Sequence, residues 1–277
     1  MIEISHLVKR YADGAVAIND LSLRLSKRIT CILGKNGAGK TTLIRIMSTQ
    51  LMPTSGSVII NGHDVVNDAA AVRDIISSIP QEVKVMGIAT PYDHVSMYLH
   101  ARGLPGSKID KASEKALREL DLWRVRDKCT ADLSGGMRRK VFVAMAIASG
   151  ADVIFLDEPT TGLDPISRLE VWSSLRKLGC EIIVTTHYME EAKELSEEVV
   201  LVDHGKVVVQ GGVDELLGRF HGRVRAEGPS GDYLIGGLHI SYVTKARAEK
   251  LVEKGYTIKQ VTLEDILITS GGGSLAD

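Results

Sequence analysis

The stretch Ile29-Thr-Cys-Ile-Leu33-Gly34-Lys35-Asn36-Gly37-Ala38-Gly39-Lys40-Thr41-Thr42 reads as three pieces joined in a telling order. Ile29 to Leu33 is a short apolar run, the pattern of a strand buried in a parallel or mixed sheet. Gly34 to Thr41 follows the spacing G-x-x-x-x-G-K-[ST]. From Thr41 the apolar positions Leu43, Ile44, Met47 and Leu51 recur at helical spacing until Pro53 closes the segment. Strand, glycine loop and helix together suit a phosphate tail. The glycines permit backbone conformations that turn successive amide N–H groups, those of Asn36 and Ala38 included, toward phosphate oxygens. The helix adds a partial positive charge at its start. Lys40 supplies a mobile ammonium, and the hydroxyl of Thr41, ahead of Thr42, can ligate Mg²⁺.

A second apolar run, Val153-Ile-Phe-Leu156, ends in Asp157-Glu158. A strand apolar on both faces that ends in two acids puts charge at the carboxyl edge of a sheet, where open α/β folds bind ligands. Asp157 is the candidate Mg²⁺ partner, directly or through water, and Glu158 the candidate to orient and deprotonate an attacking water. Before this run lies Leu133-Ser134-Gly135-Gly136-Met137-Arg138-Arg139-Lys140. Ser134 at a helix cap, two glycines and then cations is electrostatically odd, because Arg138 and Lys140 oppose the helix macrodipole at about 0.3–1 kcal/mol each. A bound polyanion would reverse that sign.

Around these segments, Ile2-Glu-Ile4 and Leu21-Ser-Leu-Arg-Leu25 alternate as half-buried strands on either side of the turn signal Asp13-Gly14. Ser57 to Ile60, Ile75 to Ile79 and Glu181 to Thr185 read as further strands, and Val199 to Val202 with Lys206 to Val209 as a hairpin. From about Val85 to Asp132 the pattern turns helical, and Val141 to Ala148 continues it. A short helix through Leu217 leads to a small unit with strands at Tyr233 to Ile235 and His239 to Val243 and a helix at Lys245 to Glu253. Thr262-Leu-Glu-Asp265 reads as a capping box, and Ser270-Gly-Gly-Gly-Ser274 as a frayed tail.

The order phosphate loop, LSGG-type segment, strand with Asp-Glu and strand ending in His187 resembles the ATPase subunit of ATP-binding-cassette (ABC) transporters, over about Ile2 to Gly211. The resemblance implies an α/β fold: a phosphate-loop NTPase core with a mixed or parallel sheet, an antiparallel β subdomain and a helical insertion, plus a small α+β carboxy-terminal unit. The expected division is 1–221 for the ATPase domain, with a helical subdomain at about 85–140, and 222–277 for the accessory unit. ATP with Mg²⁺ is the implied ligand. Gly34, Asn36, Gly37, Ala38, Gly39, Lys40, Thr41 and Thr42 would surround its phosphates, and Tyr11 would stack on adenine. Gln81 matches a glutamine that senses Mg²⁺ and the attacking water and links to the membrane subunit. Asp164 matches an aspartate at a dimer contact, and His187 a switch histidine near the γ-phosphate. The implied catalytic groups are Glu158, His187 and Gln81, and the implied metal ligands Thr41, Gln81 and Asp157. Ser134, Gly135 and Gly136 would close over the γ-phosphate bound by a second copy, or by a homologous ATPase subunit, in a head-to-tail dimer that drives a separate permease.

Two departures stand out: Met137 where glutamine is commonest, and Lys35 where proline is frequent. Met137 with its basic run, and Thr262 to Leu267, resemble the efflux branch of the family. A soluble ABC-type ATPase without a transport role, as in iron–sulfur assembly, is the alternative reading. A small-molecule kinase built on the phosphate loop would have no use for Leu133-Ser-Gly-Gly.

Composition agrees with a globular enzyme. The chain has 277 residues, 44% hydrophobic and 25% charged, with 34 Lys and Arg against 35 Asp and Glu. The absence of a basic excess leaves no expectation of nucleic acid as a partner. Cys31, Cys129 and Cys180 are odd in number and far apart, which suits small buried side chains in a reducing compartment. The amino end lacks a signal-peptide pattern, and no apolar run approaches the ~18 residues of a spanning helix. The expected location is cytoplasmic, held peripherally at the cytoplasmic face of the membrane through the permease.

Overall fold

The computed structural model describes residues 1–81, 86–272 and 274–275. Its centre is a six-stranded sheet. β3 (Ile29–Leu33) runs parallel to β8 (Glu181–Thr186) on one side and β9 (Glu198–Asp203) on the other, and β7 (Val153–Asp157) lies between β8 and β6 (Ile76–Ile79). The antiparallel edge is β10 (Lys206–Gly211), paired with β9 across the expected hairpin. Every residue of β3 and β7 is buried, Thr30 and Asp157 included, as their largely apolar runs require.

Register places the chemistry. Leu33 pairs with Thr186, and Asp157 with Thr185. The phosphate loop, the Asp157-Glu158 pair and His187 therefore leave the sheet side by side at its carboxyl edge.

Each face of this sheet carries its own core, and the strand period of two assigns the residues. Val153 and Phe155 face a core shared with α1 (Lys40–Met47) and a four-stranded antiparallel sheet. That sheet comprises β1 (Ile2–Arg10), β2 (Val16–Leu25), β4 (Ser55–Ile60) and β5 (His63–Asp64). Ile154 and Leu156 face the other core, built with α3 (Pro91–Ala101), α4 (Gly106–Glu119), α5 (Gly135–Ala148) and α6 (Pro165–Arg176). α3 opens with a capping box between Thr90 and Asp93 and has Pro91 in its first turn.

Several boundaries differ from the sequence reading. α1 stops at Met47, short of Leu51, because the chain turns at Thr49, whose φ is +62°. Ile75 closes a short helix, α2 (Ala69–Ile75), and the strand begins one residue later. The expected helical insertion starts on Val85, which lies outside the described residues. α6 and α7 (Met189–Leu195) are additions to the sequence reading. Cys31 is buried as expected, Cys180 is half-buried, and Cys129 is exposed.

After α8 (Val213–Gly218) a five-stranded sheet forms from β11 (Arg223–Gly228), β12 (Tyr233–Ile235), β13 (Leu238–Thr244), β14 (Thr257–Lys259) and β15 (Ser274–Leu275). α9 (Lys245–Val252) packs on β11 and β13 around Ala226, Val243 and Ala248. α10 (Leu263–Leu267) has the expected capping box between Thr262 and Asp265. Leu263, Ile266 and Leu267 join the large helical core together with Leu216 and Phe220. The tail is more ordered than expected: Ile268–Gly272 form a π turn, and Ser274 and Leu275 pair with Leu234 and Tyr233. Gly273 lies outside the described residues.

Candidate active site

Asn36, Gly37, Gly39, Lys40, Thr41, Thr42, Gln81, Glu158 and His187 line one cavity of about 490 Å³. Its floor is the phosphate loop. Gly39 opens α1 at φ +102°, and a Cβ there would lie 2.4 Å from the Ala17 carbonyl oxygen, so no other residue fits without moving the backbone. Gly34 is held as tightly, since a Cβ there would lie 2.3 Å from the Val202 carbonyl oxygen of β9. Ala38 is buried in the loop, 4% exposed.

Lys40 is buried, and its Nζ donates to the carbonyls of Gly34 at 2.8 Å and Lys35 at 3.1 Å. Burial lowers its pKa, and the nearby Glu158 and Asp157 charges oppose that shift. The ammonium rests on two neutral acceptors, which are weaker partners for it than a charged oxygen.

Opposite stands Glu158. Its φ is +50°, a left-handed conformation that costs a residue with a Cβ about 1–2 kcal/mol. Its amide donates to Thr185, and Oε2 accepts from Thr161 Oγ1 at 3.0 Å and Gln81 Nε2 at 3.4 Å. His187 Nδ1 lies 3.1 Å from the same oxygen. Three side chains from separate segments thus aim one carboxylate into the cavity. Asp157 sits behind it, 2% exposed, with Oδ1 accepting a hydrogen bond from Thr185 Oγ1.

The remaining sequence candidates lie elsewhere. Tyr11 is exposed and its hydroxyl meets Thr42 Oγ1 at 3.1 Å. Ser134, Gly135, Gly136 and Asp164 are not among the residues that line the cavity. Ser134 is the exposed N-cap of α5 and accepts from the Met137 amide at 3.1 Å. Asp164 caps α6, accepting from the amides of Ile166 and Ser167, both at 3.0 Å. Hydrogen bonds from Ser167 hold its carboxyl below the usual carboxylate range. The basic run after Gly136 needs correcting: Lys140 is buried, and its ammonium pairs with Glu170 of α6. That cation is neutralised by a tertiary partner and does not wait for a polyanion. Lys35 is exposed and lines a different, smaller and largely apolar cavity of about 250 Å³ that also touches His187, Ile240 and Leu267.

Sequence reasoning missed Thr161 and Thr185, which orient the acids, and Arg139, whose guanidinium meets the backbone beside them. Thr161 is legible afterwards, three residues from Glu158. Nothing in the sequence separates Arg139 from its two basic neighbours.

The family model described as ABC transporter matches residues 18–161. The daunorubicin resistance ATP-binding protein DrrA3 of Streptomyces coeruleorubidus is 38% identical over 219 residues, covering 78% of this chain and 69% of that protein. The doxorubicin resistance ATP-binding protein DrrA of Mycobacterium tuberculosis is 37% identical over 223 residues, covering 79% and 67%. Among solved structures, cbiO1 of Clostridium perfringens, part of the ABC transporter complex cbiONQ, is 28% identical with a TM-score of 0.68, covering 78% of this chain and 89% of that one. The dimeric bacterial ABC transporter cassette MJ0796 shares the fold at 24% identity and a TM-score of 0.70, covering 76% and 98%. The chain belongs to the ABC transporter family, in which it is a subunit that binds and hydrolyses ATP.

Proposed function

We propose that the ATPase domain, residues 1–221, pairs head to tail with a second copy or a homologous subunit around two ATP molecules, and that closing and reopening this pair drives a separate permease at the cytoplasmic face of the membrane. The observation that carries this reading is the separation of two half-sites. The phosphate loop, Gln81, Glu158 and His187 share one cavity, while Ser134, Gly135 and Gly136 open α5 at the surface, apart from it. The helix start at Ser134 then meets a triphosphate supplied across the interface. Asp164, exposed at the start of α6, belongs to the same interface. ATP favours the closed pair because it gains contacts there that the open pair lacks.

Within a site, Gly34 to Thr42 cradle the phosphates and Lys40 moves from its carbonyls to the β- and γ-oxygens. Tyr11 supports the adenine. Glu158, held by Thr161, Gln81 and His187, accepts the proton of the attacking water. His187 also reports the γ-phosphate. Thr41, Gln81 and Asp157 offer hard oxygen ligands, and the described residues hold no cluster of three or more acidic, His or Cys side chains that would cage a metal. That set suits Mg²⁺, which takes its remaining ligands from phosphate and water and neutralises phosphate charge when bound.

Export is the favoured direction, because the relatives named for drug resistance include DrrA3 and DrrA. No helix among the described residues is long and apolar enough to cross a membrane; in this reading the permease supplies the path. Residues 222–277 form an accessory unit docked on the cassette. Glu158→Gln tests the reading: hydrolysis falls by about 10²–10⁴, while gel filtration with ATP and Mg²⁺ gives a dimer. A monomer under those conditions would count against it.

A further inference from the structure

Of the three successive cations after Met137, the middle one has partners unlike either neighbour's. Arg139 Nε donates to the Pro159 carbonyl at 3.2 Å, and one terminal nitrogen to the Gln81 carbonyl at 2.7 Å. The other terminal nitrogen donates to the carbonyls of Asp157 at 3.0 Å and Glu158 at 2.6 Å. One planar fork thus gathers four oxygens from two segments that both serve the cavity. Those of Asp157, Glu158 and Pro159 are successive, and they converge where Glu158 adopts its left-handed φ. A lysine ammonium, with three donors on a single point, cannot span such a set. The charge is also retained against a penalty: burial lowers the arginine pKa, with Asp157, Glu158 and Glu191 opposing the shift.

Arg139 rides on α5, the helix that Ser134 caps, with about one and a half turns between them. A displacement of Ser134 carries the guanidinium with it. The next residue of the loop is anchored on the far side, where Thr160 Oγ1 donates to Glu191 Oε1 at 2.8 Å and Trp172 Nε1 donates to the same oxygen at 2.9 Å. With Thr160 fixed, movement of Arg139 acts on the peptides of residues 157–159 and does not drag the loop as a whole.

We propose that Arg139 is a positioning residue that couples the signature segment of a chain to the hydrolytic groups of that same chain. When Ser134 engages the partner's triphosphate, the guanidinium resets the Gln81 segment and the backbone of Glu158, so one site's occupancy governs the other's rate. The coupling rests on the head-to-tail reading above.

The test is Arg139→Lys, with Arg139→Gln as a second variant. Circular dichroism and melting verify the fold, calorimetry gives ATP affinity, and steady-state kinetics gives kcat and the Hill coefficient in ATP. Both variants are expected to bind ATP within about twofold of the parent, while kcat falls at least tenfold and the Hill coefficient falls to 1. Retained charge in Arg139→Lys should not rescue the rate. Parental kcat and cooperativity, or a loss of fold and affinity in step with rate, would overturn the proposal. In the unsubstituted protein, the Arg139 Nε–H resonance should shift on addition of ATP, and an unmoved signal would overturn it independently of any variant. Gel filtration of Glu158→Gln separates the two ideas: a dimer alongside a fully active Arg139→Lys refutes the coupling alone, whereas a monomer refutes the head-to-tail reading and the coupling with it.

Discussion

Two helices of this molecule begin at glycine-rich turns, and they are finished in opposite ways. α1 starts at Gly39, which offers no side-chain cap, and its amides face a cavity that also holds Lys40. α5 starts at Ser134, whose own side chain satisfies the Met137 amide, and it stands at the surface with Arg138 in its first turns. An uncapped helix start beside a buried ammonium leaves donors and charge for an anion bound by this chain itself. A start capped by its own serine and exposed is satisfied within the chain and remains open to an anion from elsewhere. On the proposed reading, that difference divides the phosphate site into a strong half and a weak half on one chain.

Substitutions at the two helix starts sharpen that contrast. Lys40→Ala should have the largest effect on binding, removing charge-assisted hydrogen bonds of about 1.5–3 kcal/mol each and lowering ATP affinity about 100-fold by calorimetry. Unchanged affinity would mean that the phosphates sit elsewhere. Ser134→Ala should leave the affinity of the isolated chain within about twofold while lowering kcat about tenfold, the loss of one hydrogen bond made only in the closed pair. An equal fall in affinity for the single chain would erase the distinction between the halves. The smallest effect belongs to Asp164. Its carboxyl titrates below the ordinary range because Ser167 donates to it. The cap is therefore complete above the unfolded carboxylate pKa of about 3.9 and is lost as pH falls through the lower folded value. Asp164→Asn should flatten the acid limb of the melting profile and leave the neutral plateau nearly in place. A neutral plateau that drops while the acid limb keeps its slope would contradict that assignment.

The strong half was legible because its signals are local. Gly34 to Thr41 has fixed spacing, β3 and β7 are largely apolar runs, and the period of two in β7 divides the two cores. The rest depends on tertiary partners. β11 hides in Arg223-Val-Arg-Ala-Glu-Gly228, a charged stretch whose Arg225 and Glu227 are made tolerable by pairing with each other, Asp265 and Lys259. α7 is seven residues long and rich in charge, and its Glu191 is buried only because Thr160 and Trp172 donate to it. Lys140 and Arg139 look alike in the sequence, yet one finds Glu170 and the other four carbonyls. Only the packing of α5 against α6 and the end of β7 distinguishes them.

The most direct measurement is an experimental structure of Glu158→Gln trapped with ATP and Mg²⁺. Ser134, Gly135 and Gly136 of each copy should lie within hydrogen-bond distance of the γ-phosphate held by Lys40 of the other. A trapped complex in which those residues contact no triphosphate would contradict the divided site.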